Sequence, residues 1–243
     1  KSFFQVENEE ILSINLFNKE LKNPIGLAAG FDKSAEVYNS LFNLGFGFVE
    51  VGTITPKRQL GNPKPRIFRL EKDNAMINRL GFNNEGADLV YDRILNNLPE
   101  GYLGVNIGPN KDTKDKISDF LECLSKLNKF ANYLTINISS PNTEGLRDFH
   151  EKELLSNLLK KIQEEKKRKK ISCPIVLKLS PDIEDNEVSN INEIILKFKV
   201  DGVILTNTTN KNRDNLLDQY KNEEGGLSGV PLREISTKFI KNF

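Results

Sequence analysis

Along the chain, short apolar runs that end in small or polar residues alternate with helix-period stripes, and this alternation limits the possible folds more than any other feature. Strand-like segments lie near Ile11 to Phe17, Ile25 to Ala28, Phe48 to Gly52, Tyr102 to Ile107, Tyr133 to Ile138, Ile175 to Leu179 and Gly202 to Thr206. From the second onward they have the pattern of strands buried on both faces. Between them, Val37, Leu41 and Leu44 follow Ser34 as an expected N-cap, and Ile117, Phe120, Leu121, Leu124 and Leu127 form a second stripe. Helices are also expected over Glu151 to Lys170, on the stripe Val188, Ile191, Ile194 and Phe198, and from Leu232 onward with Pro231 in the first turn. Strand then helix, repeated, means parallel βαβ units.

About six such units follow Asn23, fewer than the eight of a closed (β/α)8 barrel of about 250 residues. A barrel lacking its last two strands and an open doubly wound sheet both fit this count. The first strand, turning at Asn18, Lys19 and Glu20, reads as a hairpin able to plug a barrel floor. No linker, repeat or second domain interrupts the 243 residues, so one domain, 1–243, is expected.

Lys and Arg number 35 against 34 Asp and Glu, so no global field draws the chain to nucleic acid, and any charged ligand must be met locally. Cys123 and Cys173 have no metal-ligand spacing and read as buried small hydrophobes. No apolar run approaches the roughly 18 residues of a membrane span, and no signal-peptide pattern opens the sequence. No P-loop is present, "GFGFVE" precedes its strand and lacks the third glycine of a dinucleotide fingerprint, and no G-x-S-x-G elbow frames a serine. The single histidine, His150, reads as surface or helix-start structure.

Parallel α/β folds bind ligands beyond the carboxyl ends of their strands, where loops converge and helix N-termini offer free N–H groups. The strand ends here carry Ala28, Ala29, Gly30, Asp32 and Lys33, then Thr53 and Thr55, Asn106, the packet Asn137, Ser139, Ser140, Pro141 and Asn142, Lys178 and Ser180, and finally Thr206 to Thr209. Singly, each is explained by a cap or an Asx turn. Together they put carboxamides, hydroxyls and two ammonium groups on one face of an apolar scaffold, which suits a small polar ligand. Lys178, between Leu177 and Leu179, is either a snorkelling side chain or the partner of an anion. Lys33 is either the surface partner of Asp32 or a clamp for a ligand carboxylate.

The blocks "NPIGLAAGFDK", "GFGFVEVGTITP", "GNPKPRIFRL", "INRLGFNNEG", "VNIG", "NISSPNTEGLR", "TNTT" and "GGLSGVPLREIST" occur in the order and spacing of dihydroorotate dehydrogenases. From about Leu12 to Phe243 the sequence resembles the class 2, quinone-dependent, membrane-associated branch. The resemblance implies an FMN-containing TIM (β/α)8 barrel that oxidises dihydroorotate to orotate in pyrimidine synthesis. It assigns Ser140 as the base that takes the C5 proton while a hydride leaves C6. Class 1 relatives have cysteine there, so the serine also points to class 2. By the same carry-over, Lys33, Asn78, Gly81, Phe82, Asn137, Asn142, Asn207 and Thr208 would hold the orotate ring and its carboxylate. Ala28, Ala29, Gly30, Thr53, Asn106, Asn137, Lys178, Thr206, Ser228 and Gly229 would surround FMN, with Lys178 near its N1 edge.

Pro109 stands where the family usually has lysine. The phosphate-binding loops after the seventh and eighth strands and the N-terminal quinone-tunnel helices have no counterpart here, although Arg69 matches a tunnel-lining position. The sequence is therefore expected to represent such an enzyme incompletely. The implied partners are dihydroorotate or orotate, a quinone, and a membrane surface reached through an N-terminal segment. That membrane would be the mitochondrial inner membrane in a eukaryote or the cytoplasmic membrane in a bacterium. Two alternatives remain open: another FMN barrel oxidoreductase acting on a pyrimidine, and a non-catalytic fragment unable to retain FMN.

Overall fold

In the computed structural model, which describes residues 10–243, a 3-10 turn leads into a hairpin, β1 (Ile14–Leu16) and β2 (Lys19–Leu21). There follow β3 (Gly26–Leu27), α1 (Tyr38–Phe42), β4 (Phe48–Ile54), β5 (Ile67–Leu70), β6 (Ala75–Asn78), α2 (Ala87–Asn96), β7 (Tyr102–Ile107) and α3 (Lys116–Leu127). The rest of the chain forms β8 (Tyr133–Asn137), α4 (Lys152–Lys169), β9 (Ile175–Leu179), α5 (Asp185–Lys197), β10 (Gly202–Leu205), β11 (Gly226–Gly229) and α6 (Val230–Asn242).

Six strands form one parallel sheet in the order β10-β9-β8-β7-β4-β3. The order follows the chain in one direction without reversal. A doubly wound sheet reverses at its switch point, whereas a barrel adds each strand beside the last. The fold is therefore a partial TIM barrel of six βα units, and the doubly wound alternative falls away.

The two faces of this sheet differ chemically. Val49 and Val51, Val105 and Ile107, Leu134 and Ile136, and Leu177 and Leu179 pack outward with Phe120 and Leu124 of α3, Leu158 and Ile162 of α4, and Ile191 and Ile194 of α5. Each such side chain contributes about 1.5–3 kcal/mol by leaving water. The intervening positions face inward, because successive side chains of a strand alternate. They include Glu50, Asn106, Thr135, Asn137 and Lys178, all buried. Both faces are covered, as the sequence suggests, but the inner one is polar near the strands' carboxyl ends.

The hairpin closes the opposite end. Its turn is Phe17 and Asn18, both at positive φ as a type I′ turn requires, while Lys19 and Glu20 already belong to β2, one step beyond the expected turn. Leu16, Phe17 and Leu21 pack on Tyr102, Tyr133 and Val176 at the strands' amino ends, and the Tyr102 hydroxyl donates to Leu16 O at 3.2 Å. The floor-plug expectation agrees with this packing.

Helix α1 is only five residues long and is not capped by Ser34. Its N-cap position is Val37, with no side-chain cap; Asp32 instead orders the turn before the helix, its carboxylate accepting from the N–H groups of Glu36 (2.8 Å) and Val37 (2.9 Å), while Ser34 Oγ accepts from Glu85 N. Val37 and Leu44 are accordingly exposed and only Leu41 of that stripe is buried. Helix α2 and a three-stranded antiparallel sheet, β11-β6-β5, lie outside the expected elements. His150 is buried in a 3-10 turn just before α4, so the surface half of its expected placement is wrong and the helix-start half is right. Cys123 and Cys173 are both buried, as expected.

Candidate active site

Above the polar inner face, the strand ends and the small antiparallel sheet enclose a cleft of about 180 Å³. All the residues expected to touch substrate line it: Lys33, Asn78, Gly81, Phe82, Asn137, Ser140, Asn142, Asn207 and Thr208. Of those expected around a cofactor, Ala29, Gly30, Thr53, Asn137 and Lys178 line it as well. Ala28 and Thr206 sit just beyond β3 and β10 without lining it, and Ser228 and Gly229 lie on β11, where Ser228 Oγ donates to Met76 O at 3.2 Å. Asn106 is fully buried beneath the cleft, not on its wall.

Local backbone chemistry builds the wall. Gly52 has φ +114°, and a Cβ there would stand 2.3 Å from Asn106 O, so glycine is needed where β4 passes β7. The β4–β7 register shifts between Val51 and Ile54, and this irregularity carries Thr53 to the cleft. Thr53 Oγ1 donates to Asn106 Oδ1 at 2.6 Å and accepts from Asn137 Nδ2 at 2.9 Å. Asn137 Oδ1 in turn accepts from Ser139 Oγ (2.8 Å) and Ser139 N (3.2 Å). Asn207 Nδ2 donates to Ser139 Oγ at 2.9 Å.

The packet after β8 is thus held by its own hydroxyls and amides. Ser139 locks the loop, while Ser140 Oγ faces the cleft and accepts from Asn142 N at 3.2 Å. Asn142 Nδ2 reaches across to Asn78 O at 3.1 Å, tying the loop to the end of β6.

Arg147 braces the same loop from outside. Its guanidinium donates to Ser139 O (3.2 Å) and Thr208 O (3.1 Å) and pairs with Asp182 at 2.8 Å. Asp182 also accepts from Thr209 Oγ1 and Asn210 N. One planar fork therefore joins the segments after β8, β9 and β10. His150, beside this pair, is held at a pKa of about 4 by burial and by the Arg147 charge, so its ring is neutral at pH 7.

The charge of the cleft is one-sided. No carboxylate lines it, and among the described residues neither Lys33 nor Lys178 has an ion-pair partner. The Asp32 alternative for Lys33 fails, since the Asp32 carboxylate accepts from Glu36 N and Val37 N and forms no ion pair with Lys33. Burial, with Arg66 and Lys178 nearby, lowers the Lys33 pKa to about 8. An anion entering the cleft meets two ammonium groups that lack a protein counter-ion.

Glu50, Thr135 and Arg147 carry much of this arrangement without having been singled out in the sequence. Glu50 was detectable by the reasoning applied to Lys178, since it is a charge between Val49 and Val51 in an apolar strand.

Comparison with known proteins gives a consistent answer. The sequence profile of the family described as "Dihydroorotate dehydrogenase" matches residues 11–243. A Bartonella tribocorum protein named "Dihydroorotate dehydrogenase (quinone)" is 50% identical over 230 residues, covering 93% of this chain and 64% of its own length. A Christiangramia forsetii protein of the same name is 47% identical over 243 residues, covering 99% of this chain and 71% of that protein. The crystal structure of DHODH from Eimeria tenella in complex with ferulenol superposes with a TM-score of 0.91 at 42% identity, over 97% of this chain and 69% of that one. The chain thus spans about two thirds of the relatives it matches, 64% of the Bartonella protein. With its strand order, polar inner face and matching blocks from end to end, the chain belongs to the dihydroorotate dehydrogenase family.

Proposed function

We propose that the complete protein oxidises dihydroorotate to orotate in pyrimidine biosynthesis, using FMN and passing the electrons to a quinone. The observation that carries this reading is a small, carboxylate-free cleft whose two ammonium groups have no protein counter-ion, and whose other polar walls, set among Ala29, Gly30, Leu80, Gly81, Phe82 and Pro141, are carboxamides and hydroxyls. A planar ring with amide edges and one carboxylate needs those donors, acceptors and positive charges.

The residues present fit FMN on two counts. Apart from Gly30 and its two chain neighbours, no heavy atom lies within 4 Å of where a Cβ on Gly30 would sit, which leaves open backbone beside Ala29 for a flat ring. Thr53 and Lys178 supply a hydroxyl and an unpaired ammonium on the same cleft. At about 180 Å³ the cleft is smaller than the roughly 300–1,000 Å³ of drug-sized pockets, so it suits a single small ring, and a larger cofactor would extend beyond it.

When bound, FMN supplies the hydride acceptor. Ser140 takes the C5 proton; its oxygen is fixed by the Asn142 N–H, and as a weak base it depends on that placement and on a proton exit through water. Lys33 holds the substrate carboxylate, and Asn78, Asn142, Asn207 and Thr208 hold the ring edges, with Gly81 and Phe82 beside it. Lys178 presents positive charge to the cofactor.

Quinones are lipid-soluble, and the named relatives are quinone enzymes, so the reading includes association with a membrane surface: the mitochondrial inner membrane in a eukaryote, the cytoplasmic membrane in a bacterium. No helix among the described residues is long and apolar enough to cross a membrane.

The test is a substrate comparison in the purified protein with FMN and a soluble quinone. Dihydroorotate should drive quinone reduction and dihydrouracil, which lacks the carboxylate, should not. Equal rates with both would overturn the assignment of substrate.

A further inference from the structure

Below the cleft, Glu50 is 3% exposed at the middle of β4, where a carboxyl group needs a reason to be. Its Oε1 accepts from Asn106 Nδ2 at 2.9 Å and its Oε2 from Thr135 Oγ1 at 2.7 Å. The Tyr133 hydroxyl also faces it, and burial first, then the Glu50 charge, holds that phenol well above its ordinary pKa, so it too remains a donor. Both of its hydrogen-bond partners, Asn106 and Thr135, donate to it.

We propose that Glu50 is a positioning residue that sets the direction of the hydrogen-bond chain running through Asn106, Asn137, Ser139 and Asn207 into the substrate cleft. This rests on the functional reading above and adds to it the element that orients the ring-binding amides. A carboxamide fits its pocket in two orientations of similar shape, and only its hydrogen-bond partners choose between them. A carboxylate accepts only, so Asn106 must present Nδ2 to Glu50 and Oδ1 to the other side.

That choice propagates. Asn106 Oδ1 accepts from Thr53 Oγ1 (2.6 Å) and Asn137 Nδ2 (3.2 Å), which forces Asn137 to turn Oδ1 toward Ser139. Ser139 Oγ, having donated to Asn137, accepts from Asn207 Nδ2. Asn207 Oδ1 is then left for Thr208 N, at 2.7 Å. Reversing any amide places donor against donor in a buried site, so one carboxylate on β4 fixes groups on β7, on and just past β8, and just past β10.

Glu50→Gln keeps the shape and removes the direction, because a carboxamide can donate to Asn106 as well as accept. In Glu50→Gln the side-chain amide NMR signals of Asn106, Asn137 and Asn207 should move or broaden in the orotate-free protein. Orotate affinity of the FMN-loaded protein should fall about tenfold or more. Adding Asn106→Asp restores an acceptor-only group one step along the chain, and the double variant should return the Asn137 and Asn207 signals toward their wild-type positions. A merely space-filling Glu50 predicts no such rescue. If Glu50→Gln fails to fold, the wild type still decides, since the chain requires the Asn106 and Asn137 side-chain amide hydrogens to exchange slowly with solvent. Unmoved signals in Glu50→Gln, signals in the double variant displaced as in the single one, or fast exchange in the wild type would overturn the proposal. The signals are read without ligand, so a wild-type protein that binds no orotate would count against the substrate assignment alone.

Discussion

Replacing Arg147 with alanine removes a side chain that joins three site-bearing loops, and its cost follows from the geometry. The change deletes two hydrogen bonds to backbone carbonyls, Ser139 O and Thr208 O, and an ion pair to Asp182. Arg147 and Asp182 side chains are 23% and 9% exposed, so the carboxylate stays largely out of water when its partner is lost. Breaking a buried pair from one side costs about 3–5 kcal/mol, and partial exposure of the arginine puts this case near 3 kcal/mol. In a domain of this size each kcal/mol moves the melting temperature by about 2–4 °C, so a fall of about 6–12 °C is expected. Thermal unfolding followed by near-ultraviolet circular dichroism reads it. Arg147→Lys should lose roughly half as much, about 1.5 kcal/mol, because an ammonium can replace only part of the planar fork. Removing the exposed Lys152–Glu193 pair, at 3.5 Å, should cost under about 1 kcal/mol and serves as the control. A melting temperature for Arg147→Ala within about 2 °C of wild type would refute the idea that this fork holds the loops together.

Other consequences are more direct. Lys33 is charged below its pKa of about 8 and neutral above it, and in the proposed reading it is the charged form that would hold the orotate anion. Orotate affinity measured by calorimetry should therefore be flat below that pH and fall as pH rises through it, and Lys33→Met should remove this dependence. Bound orotate should also raise the Lys33 pKa, with proton uptake on binding near pH 8. Phe120, wholly buried between α3 and the sheet and edge-on to Phe149, should cost about 3–5 kcal/mol as Phe120→Ala in a urea titration.

The barrel strands and four of the helices were legible because each carries a clean period. The run Leu134, Ile136, Ile138 alternates with Thr135, Asn137 and Ser139, and the structure sends the first set to the helices and the second to the interior. The antiparallel sheet was hidden by its context. Ile67, Phe68, Arg69 and Leu70 alternate exposed and buried, yet they lie in a basic, proline-rich stretch that reads as loop, and β11 is four residues including two glycines. Helix α1 was misjudged at its start because Asp32, which reads naturally as the ion partner of Lys33, instead spends its carboxylate on two backbone N–H groups. The cleft residues were legible one motif at a time. Their supports were not, since nothing local in "FVEVG" or "EGLR" says which distant amide or carbonyl a buried Glu50 or Arg147 will meet.

The central claim is that Ser140 removes a proton from dihydroorotate while FMN takes the hydride. Its most direct measurement is anaerobic addition of dihydroorotate to the FMN-loaded protein, followed by flavin absorbance, for wild type and Ser140→Ala. The wild type should bleach, and the variant, which retains the cleft and both ammonium groups, should bind orotate yet bleach about 10²–10⁴-fold more slowly. An FMN-loaded wild type that stays yellow, or a Ser140→Ala protein that bleaches at the wild-type rate, would contradict the account.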